Sequence, residues 1–315
     1  MRLLFWNMNR RGLPTNVAHL AWQENADVLI LAECGATSAE LLVALNDPVQ
    51  QTAAERTPQY QFAPGNCGHL LFFTRFDSNY LTKVTETHRI SIRKLKIPTL
   101  PQAQGRLLYP TDGEKDGAPA PSSDRRTIPG LGQRETWGTH GHELLIAAAH
   151  LPSKQDLSEE SQVFEAVHFA RLIEDAEKHC GHQRTVVIGD LNMNPFEAGM
   201  VAASGGLHAV GSRRVAERER RTVHQRPYGF FYNPMWAHFG DRGETAGTYY
   251  YESGEPLCYF WNLFDQVLLR PALLDGFSHE QVRIVTTIGT ASLLRDGCPD
   301  KEYVSDHLPV VVEVQ

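Results

Sequence analysis

Polar residues of a few chemical types stand directly at the ends of short apolar runs. Six such sites occur, at Asn7, Glu33, His150, Asp190 with Asn192, Asp265, and Asp306 with His307. A side chain at the end of a buried strand is held by a rigid sheet but faces a cleft. One lone carboxylate in such a place usually caps a turn. Six such sites indicate an active site.

The residue types at these sites suit metal-assisted chemistry. The four carboxylates are hard oxygen ligands of the kind that Mg²⁺ or Mn²⁺ prefers. The two asparagines can donate to phosphate oxygens without adding charge, and the two histidines can transfer protons. An acidic cluster this dense repels itself unless a cation neutralises it. Phosphoester hydrolysis with a metal ion needs a Lewis acid, an activated water and donors to the developing charge, and this set offers those parts.

Short strands and helices must position these side chains. A helical pattern over Val17, Leu20 and Ala21 lies between the first two strands, and a longer helix begins after Ser158 and ends at Gly181. This alternation favours an α/β architecture. The predicted strands cover residues 3–6, 28–32, 70–73, 91–97, 144–149, 185–188, 267–269 and 310–314.

The strands are spread from residue 3 to residue 314, which predicts a single domain over 1–315 that needs both ends of the chain. Residues 98–141 contain six prolines and seven glycines. This segment is predicted to be an insertion or long loop rather than a domain boundary. His140 and His142 form an H-x-H pair beside a glycine, and a solvated loop is favoured there over a second metal site.

Composition excludes several classes of protein. Hydrophobic residues make up 42% and charged residues 21%, as in ordinary globular proteins. No apolar run approaches the roughly 18 residues of a membrane helix, so no membrane segment is expected. A net charge of −7 argues against a protein that coats DNA non-specifically. The five cysteines form no C-x-x-C pair, and the start of the chain lacks the pattern of a signal peptide, which predicts a cytoplasmic protein.

The polar sites also resemble the motifs of a known family, the endonuclease/exonuclease/phosphatase (DNase I-like) superfamily. The matching segments occur in family order and span residues 5–310. The resemblance implies a four-layer α/β sandwich, in which two packed mixed β-sheets are flanked by helices. The segments are Phe5-Trp6-Asn7, Leu31-Ala32-Glu33, Ala148-Ala149-His150, Gly189-Asp190-Leu191-Asn192 with Pro195, Phe264-Asp265-Gln266-Val267, and Ser305-Asp306-His307-Leu308-Pro309-Val310.

The resemblance also implies a role for each matched side chain. Glu33 would hold the divalent metal, Mg²⁺ or Mn²⁺, with Asn7 and Asp306 near it. Asp190 would orient or deprotonate the attacking water, and Asn192 would bind the scissile phosphate. These five residues are therefore expected to meet at one site.

Two histidines complete the implied site. His307 would contact a phosphate oxygen and be oriented by Asp265, whereas His150 would be a second acid/base or a phosphate contact. Two positions depart from the family pattern. Leu263 stands where many members have an arginine, and residues 66–70 offer no glutamate to pair with His150. A role for His150 as a phosphate ligand alone therefore stays open.

Two further features bear on the substrate. Arg213, Arg214 and Arg218 open an arginine-rich stretch, which predicts contact with a phosphate backbone or, equally, a solvated helix face with internal salt bridges. Six aromatic residues approach Asp265 in sequence and would either stack bases or belong to the core, and at least half of them are expected in the core. They are Trp236, Tyr249, Tyr250, Tyr251, Tyr259 and Trp261.

The leading functional hypothesis is a divalent-metal-dependent phosphodiesterase, a nuclease that hydrolyses DNA or RNA by attack of metal-activated water on phosphorus. An alternative keeps the chemistry but takes a phospholipid, an inositol phosphate or a nucleotide-derived small molecule as substrate. A non-catalytic binding scaffold is less favoured, because Glu33, Asp190 and His307 are all present.

Overall fold

The first and last strands of the chain lie side by side in one sheet of the computed structural model. β1 (Arg2–Asn7) pairs in parallel with β2 (Val28–Ala32) and antiparallel with β21 (Val310–Glu313). The remaining strands of this six-stranded sheet are β3 (Gln61–Phe62), β4 (Leu70–Thr74) and β16 (Val282–Ile284). The order across the sheet is β16-β21-β1-β2-β4-β3. Both chain ends therefore contribute to one sheet, as the sequence predicts.

A second sheet has seven strands. Its strands are β5 (Leu81–Glu86), β6 (Ile90–Lys96), β7 (Glu143–His150), β8 (Thr185–Asp190), β9 (Ala209–Val210), β12 (Phe231–Tyr232) and β15 (Asp265–Leu269). Their order is β5-β6-β7-β8-β15-β12-β9. β7 and β8 run parallel, whereas β15 runs antiparallel to β8, so this sheet is also mixed.

The structure describes only part of the chain, namely residues 1–47, 59–96, 143–154 and 157–315. The chain divides into one unit of residues 1–95 and 144–315 and a second unit of residues 96–143, of which only the two end residues are described. The predicted insertion at 98–141 and its H-x-H pair lie outside the described residues.

Short ribbons and helices lie between successive strands of the two sheets. Four ribbons pair β10 (Arg220–Val223) with β11 (Arg226–Gly229), β13 (Tyr249–Tyr251) with β14 (Phe260–Asn262), β17 (Thr287–Ile288) with β18 (Ala291–Ser292), and β19 (Leu294–Arg295) with β20 (Cys298–Pro299). The α-helices are α1 (Pro14–Gln23), α2 (Ser38–Leu45), α3 (Glu159–Cys180), α4 (Ala198–Val201) and α5 (Arg213–Ala216). The 3-10 helices are Ser78–Tyr80, Pro234–His238, Pro271–Leu273 and His279–Gln281.

The longest helix, α3, has the ends that its sequence predicts. The Ser158 hydroxyl caps the first turn by accepting the backbone N–H of Ser161, and Glu159 and Glu160 lie near the positive end of the helix dipole. Gly181 ends the helix with φ of +76°, in the left-handed region that glycine adopts without a steric penalty. Among the described residues, no helix combines the length and the apolar character needed to cross a membrane.

Alternation along the strands divides the core into layers. Phe5 of β1 faces inward, into a cluster that contains residues of both sheets, such as Ile188 of β8. Its neighbour Leu4 faces outward and packs with Leu20 of α1. On the outer side of the second sheet, Phe169 of α3 packs with β-strand residues in a third cluster. Because successive strand side chains point to opposite faces, each sheet contacts both the other sheet and a helical layer. This arrangement confirms the predicted α/β sandwich.

Gly189 allows β7 and β8 to pair as far as their polar ends. A Cβ atom on Gly189 would lie 2.0 Å from the carbonyl oxygen of Ala149, so only glycine fits the close approach of the two strands. The register then continues to the pair His150↔Asp190. The glycine of the G-D-x-N motif is therefore a requirement for placing His150 beside Asp190.

Substitution of this glycine tests that requirement. Gly189→Ala is expected to lower the free energy of unfolding by about 2–4 kcal/mol, because the new methyl group collides with backbone and the residue also has a positive φ. The matched control is Gly181→Ala, which has a positive φ but no atom within 4 Å of the added Cβ. That control is expected to cost about 1–2 kcal/mol. Equal losses in urea denaturation would contradict the close-approach argument.

Candidate active site

Asp190 lies at the centre of the polar cluster, at the end of β8. Its side chain is fully buried. Asn7, from the other sheet, donates its Nδ2–H to Asp190 Oδ2 over 2.8 Å, and the backbone N–H of Asn192 donates to Oδ1 over 2.9 Å. The Nε2 atoms of His150 and His307 each lie 3.8 Å from the same Oδ2 atom. The carboxylate is therefore surrounded by donors from both sheets.

Asp265 and His307 form a buried pair beside it. His307 Nδ1 donates to Asp265 Oδ2 over 2.8 Å, and Asp265 is itself completely buried. Burial raises the pKa of Asp265 to about 6, although the imidazole of His307 opposes this shift. Burial lowers the pKa of His307, but the carboxylates of Asp265, Asp190 and Asp306 raise it more, to about 10. These three carboxylates therefore favour the cationic form of His307, whose Nε2 lies on the side of Asp190.

The backbone around His307 is fixed by three polar contacts that the sequence patterns do not reveal. Trp6 donates its indole N–H to the carbonyl of His307 over 3.0 Å. Ser305 Oγ accepts the backbone N–H of His307 and donates to the carbonyl of Asn7. The ring of Tyr249 also packs against this residue, with its centroid 4.7 Å from that of the His307 ring. These contacts join the last motif of the chain to the first one.

His150 belongs to a chain of three histidines. Its Nδ1 lies 3.2 Å from His69 Nδ1, and His69 Nε2 lies 3.1 Å from His88 Nε2. The other ring nitrogen of His150 lies 3.8 Å from Glu33. Burial lowers the pKa of His150, against the opposing effect of Asp190 and Glu33. Nε2 of His150 lies 3.8 Å from each of two carboxylates, those of Glu33 and Asp190.

Sequence reasoning missed His69 and His88. His69 lies in the 66–70 stretch that lacks a glutamate, so an imidazole stands beside His150 at that place. Burial, followed by Arg89 and His150, lowers the pKa of His69 to about 4, which keeps its ring neutral. The only sequence signal for His69 was its position. It directly precedes β4, and the other site residues likewise lie next to the ends of strands. Its contact with His88 has no comparable signal.

The residues proposed as metal ligands suit a divalent cation. Within the described ranges, the buried Oδ1 of Asp306 has no hydrogen-bond partner. Glu33 follows β2 with φ of +45°, an unfavourable conformation for a residue with a side chain. Its carboxylate lies 3.8 Å from His150 Nε2. A buried carboxylate oxygen without a donor is costly unless a cation or a water satisfies it, so Asp306 Oδ1 is suited to a hard ion.

The structure does not bring the predicted substrate-binding arginines to these strand ends. Arg213 donates to the carbonyls of Leu274 and Phe277 over 2.6 Å each and pairs with Glu217, which favours the salt-bridge alternative for this residue. Arg214 and Arg218 are both exposed. All three lie in or beside α5, which packs against β9 and β12. These strands meet β15 near Leu269, at the end opposite Asp265.

The expectation that at least half of the six aromatic residues are core is wrong, since none of them is fully buried. β13 and β14 form a surface ribbon rather than two strands of a main sheet. Tyr251 and Tyr259 are 49% and 48% exposed, and Trp236 is 37% exposed. Tyr249 is the member that reaches the site, between His307 and Phe264.

No family model matches the sequence, and no curated protein matches it. Solved structures with a likeness to this fold do exist. TDP2 from Caenorhabditis elegans is 13% identical with a TM-score of 0.48, over 99% of this chain and 96% of that one. The endonuclease domain of TRAS1, a telomere-specific non-LTR retrotransposon, is 12% identical with a TM-score of 0.44, over 100% and 98%. An AP endonuclease from Archaeoglobus fulgidus is 12% identical with a TM-score of 0.46, over 100% and 99%. These likenesses concern the fold and leave the substrate of this chain open.

Proposed function

We propose that this protein is a divalent-metal-dependent phosphodiesterase that hydrolyses nucleic acid by attack of water on phosphorus. The observation that carries the proposal is the convergence on Asp190 Oδ2 of one amide donor at 2.8 Å and two imidazole nitrogens at 3.8 Å. A buried carboxylate with donors on several sides, at the end of a strand, is suited to position a water molecule. The motif resemblance supports the same assignment.

In this proposal, each side chain of the site has a separate role in the reaction. Asp190 orients the attacking water and accepts its proton. His307, cationic at neutral pH, donates from Nε2 to a phosphate oxygen as negative charge grows there, and Asp265 holds its ring. Asn192 donates one amide N–H to the carbonyl of Leu151 over 2.9 Å, which leaves the second N–H for a phosphate oxygen.

The metal site in this proposal consists of Glu33, Asp306 and Asn7. The unpartnered Oδ1 of Asp306, within the described part of the chain, supports this choice. When bound, Mg²⁺ or Mn²⁺ would supply a Lewis acid that neutralises charge on the phosphate. His150 lies between Glu33 and Asp190, and we assign it as a contact of the phosphate or of the water.

The surface near His307 supports a polymeric substrate. Tyr249 in β13 contacts the His307 ring, and the β13–β14 ribbon exposes Tyr251 and Phe260, with Tyr259 just before β14. Exposed aromatic rings beside a phosphate-binding site can stack successive bases, which adds about 1–3 kcal/mol per base.

A cleavage panel tests the proposal. The purified protein is assayed on single- and double-stranded DNA, nicked and abasic duplexes, RNA and a generic chromogenic diester, each with Mg²⁺, with Mn²⁺ and with chelator. We expect polymer cleavage that chelator abolishes and Mg²⁺ restores. Cleavage of the chromogenic diester with no cleavage of any polymer would keep the chemistry but overturn the nucleic-acid substrate. Cleavage that survives chelator would overturn the metal dependence.

A further inference from the structure

A cavity of about 280 Å³ lies at the end of the second sheet opposite the candidate active site. Its lining includes His208, which precedes β9, and Phe230, which precedes β12. β12 pairs with β15 at Leu269, whereas Asp265 lies at the other end of β15. Four residues of an extended strand separate the two ends by roughly 13 Å. The cavity is therefore distinct from the cluster around Asp190.

Three arginines border this cavity. Arg218, Arg220 and Arg221 are exposed, and no ion pair or side-chain hydrogen bond joins them to any residue in the parts of the chain that the structure describes. Arg213, in the same segment, pairs with Glu217 instead. Three neighbouring guanidinium groups without carboxylate partners repel one another, and an anion in the cavity would relieve that repulsion.

The floor of the cavity holds a buried histidine with an unused ring nitrogen. His208 is 2% exposed, and its Nδ1 donates to the carbonyl of Gly229 over 3.1 Å. Its ring stacks on Phe230 with centroids 4.2 Å apart, which fixes the orientation of the ring. Nε2 has no hydrogen-bond partner among the described residues and is enclosed, so a ligand in the cavity reaches it when a neighbouring side chain shifts. The residue also has φ of +52°, so its backbone is strained where its side chain meets the cavity.

The protonation state of His208 defines what the ligand must offer. Burial lowers its pKa, and the nearby cations Arg221 and Arg270 lower it further, whereas the Gly229 carbonyl opposes this. Tyr228 is the other polar ring beside it. The neutral ring donates through Nδ1, so Nε2 is an acceptor. A suitable ligand therefore combines negative charge for the arginines with one proton for Nε2.

We propose that this cavity binds a terminal phosphate monoester. A monoester carries a charge of about −1.5 to −2 near pH 7 and three acceptor oxygens for guanidinium groups. Its dianion brings the second negative charge to the guanidinium groups, and its monoanion instead keeps one proton that the phosphate and Nε2 can share. A phosphodiester has a single charge and no such proton. The cavity lies near the lower limit of small-molecule sites in size, which suits a phosphate with a sugar rather than a longer segment.

The same chemistry has two sources, a free nucleoside or sugar monophosphate and the phosphorylated end of a nucleic acid. Binding of inorganic phosphate, a nucleoside 5′-monophosphate and dimethyl phosphate to the full-length protein is measured by isothermal titration calorimetry in chelator. We expect the monophosphate to bind at least about tenfold more tightly than dimethyl phosphate, because the diester can form neither a dianion for the arginines nor a protonated monoanion for Nε2. Equal affinity for the two would overturn the proposal.

Paired variants locate the binding. Arg218→Ala with Arg221→Ala is expected to weaken monophosphate binding about tenfold or more, through the loss of charge-assisted hydrogen bonds. The matched control is Arg214→Ala with Arg226→Ala, which removes the same charge from positions that do not line the cavity. An equal loss in the control would show a general charge effect and overturn the site. Circular dichroism verifies that both double variants are folded.

Two further binding measurements distinguish a free nucleotide from a nucleic-acid end, and the cavity from the candidate active site. Tighter binding of a 5′-phosphorylated oligonucleotide than of the free monophosphate would identify a nucleic-acid end, and equal binding would identify the free nucleotide. An unphosphorylated oligonucleotide that binds as tightly as the phosphorylated one would overturn the proposal in favour of a backbone contact. Asp190→Asn protein is expected to bind the monophosphate at the cavity with unchanged affinity. The test of the cavity is therefore independent of the test of the proposed hydrolysis.

Discussion

Asp190→Asn is expected to lower kcat/KM for phosphodiester cleavage by about 10²–10⁴-fold while leaving the protein folded. The substitution keeps the size of the side chain but removes the acceptor that meets Asn7, since Oδ1 must remain oriented toward the backbone N–H of Asn192. The new amide then places N–H donors against the N–H donors of Asn7. The variant also loses the charge that lies 3.8 Å from each of two imidazole nitrogens. The assay uses a chromogenic diester and a nucleic acid in saturating Mg²⁺.

An isosteric change at the surface provides the control for this prediction. Asp175→Asn, on α3, removes one exposed carboxylate that pairs with Lys178 at 3.2 Å. Its activity is expected to stay within about twofold of the wild type, because a surface ion pair contributes little. Asp190→Asn protein with more than about a tenth of wild-type activity and an unchanged melting temperature would remove Asp190 from the catalytic machinery.

Strand-end position explains why so much of the candidate site follows from the sequence. The location of a polar residue after an apolar run follows from two features. The strand that ends there positions its backbone, and the other strands that end at the same edge of the sheet bring further polar residues close to it. Asn7 and Asp190 come from different sheets, yet they meet because β1 and β8 end on the same side of the sandwich. The pairing of Asp265 with Asp190 follows from the antiparallel register of β15 and β8.

Features without a strand end were harder to predict. The His69–His88 contact depends on how two loops meet, and no periodicity in the sequence encodes it. The sequence offers no reason to assign different roles to the arginines of the arginine-rich stretch. In the structure, Arg213 donates to two backbone carbonyls, whereas Arg218 lines a cavity. The aromatic residues were misjudged because β13 and β14 form a two-stranded ribbon outside both main sheets, joined to the last motif by a bridge between Tyr249 and His307, and such a ribbon leaves much of its surface near solvent.

The buried ion pair between Glu177 and Arg270 lacked a sequence signal and carries the largest expected effect on stability. Glu177, in the last turn of α3, accepts both Nε and Nη2 of Arg270, over 2.8 and 3.1 Å, and the Thr185 hydroxyl over 2.7 Å. Both partners are nearly fully buried. Glu177→Ala is expected to lower the free energy of unfolding by about 3–5 kcal/mol, because it leaves the Arg270 cation buried without a counter-charge. Urea denaturation measures the loss.

Further variants show whether Glu177→Ala lowers stability through the unpaired charge of Arg270 or through lost packing. Glu174→Ala, one turn earlier on the exposed face of α3, is expected to change stability by less than about 0.5 kcal/mol. The double variant Glu177→Leu/Arg270→Met removes both charges and is expected to be more stable than Glu177→Ala, since an apolar pair avoids the desolvation that two ions require. A double variant as unstable as the single one would mean that the other bonds of Arg270, among them the one to the carbonyl of Phe230 at 3.2 Å, carry the stabilisation instead.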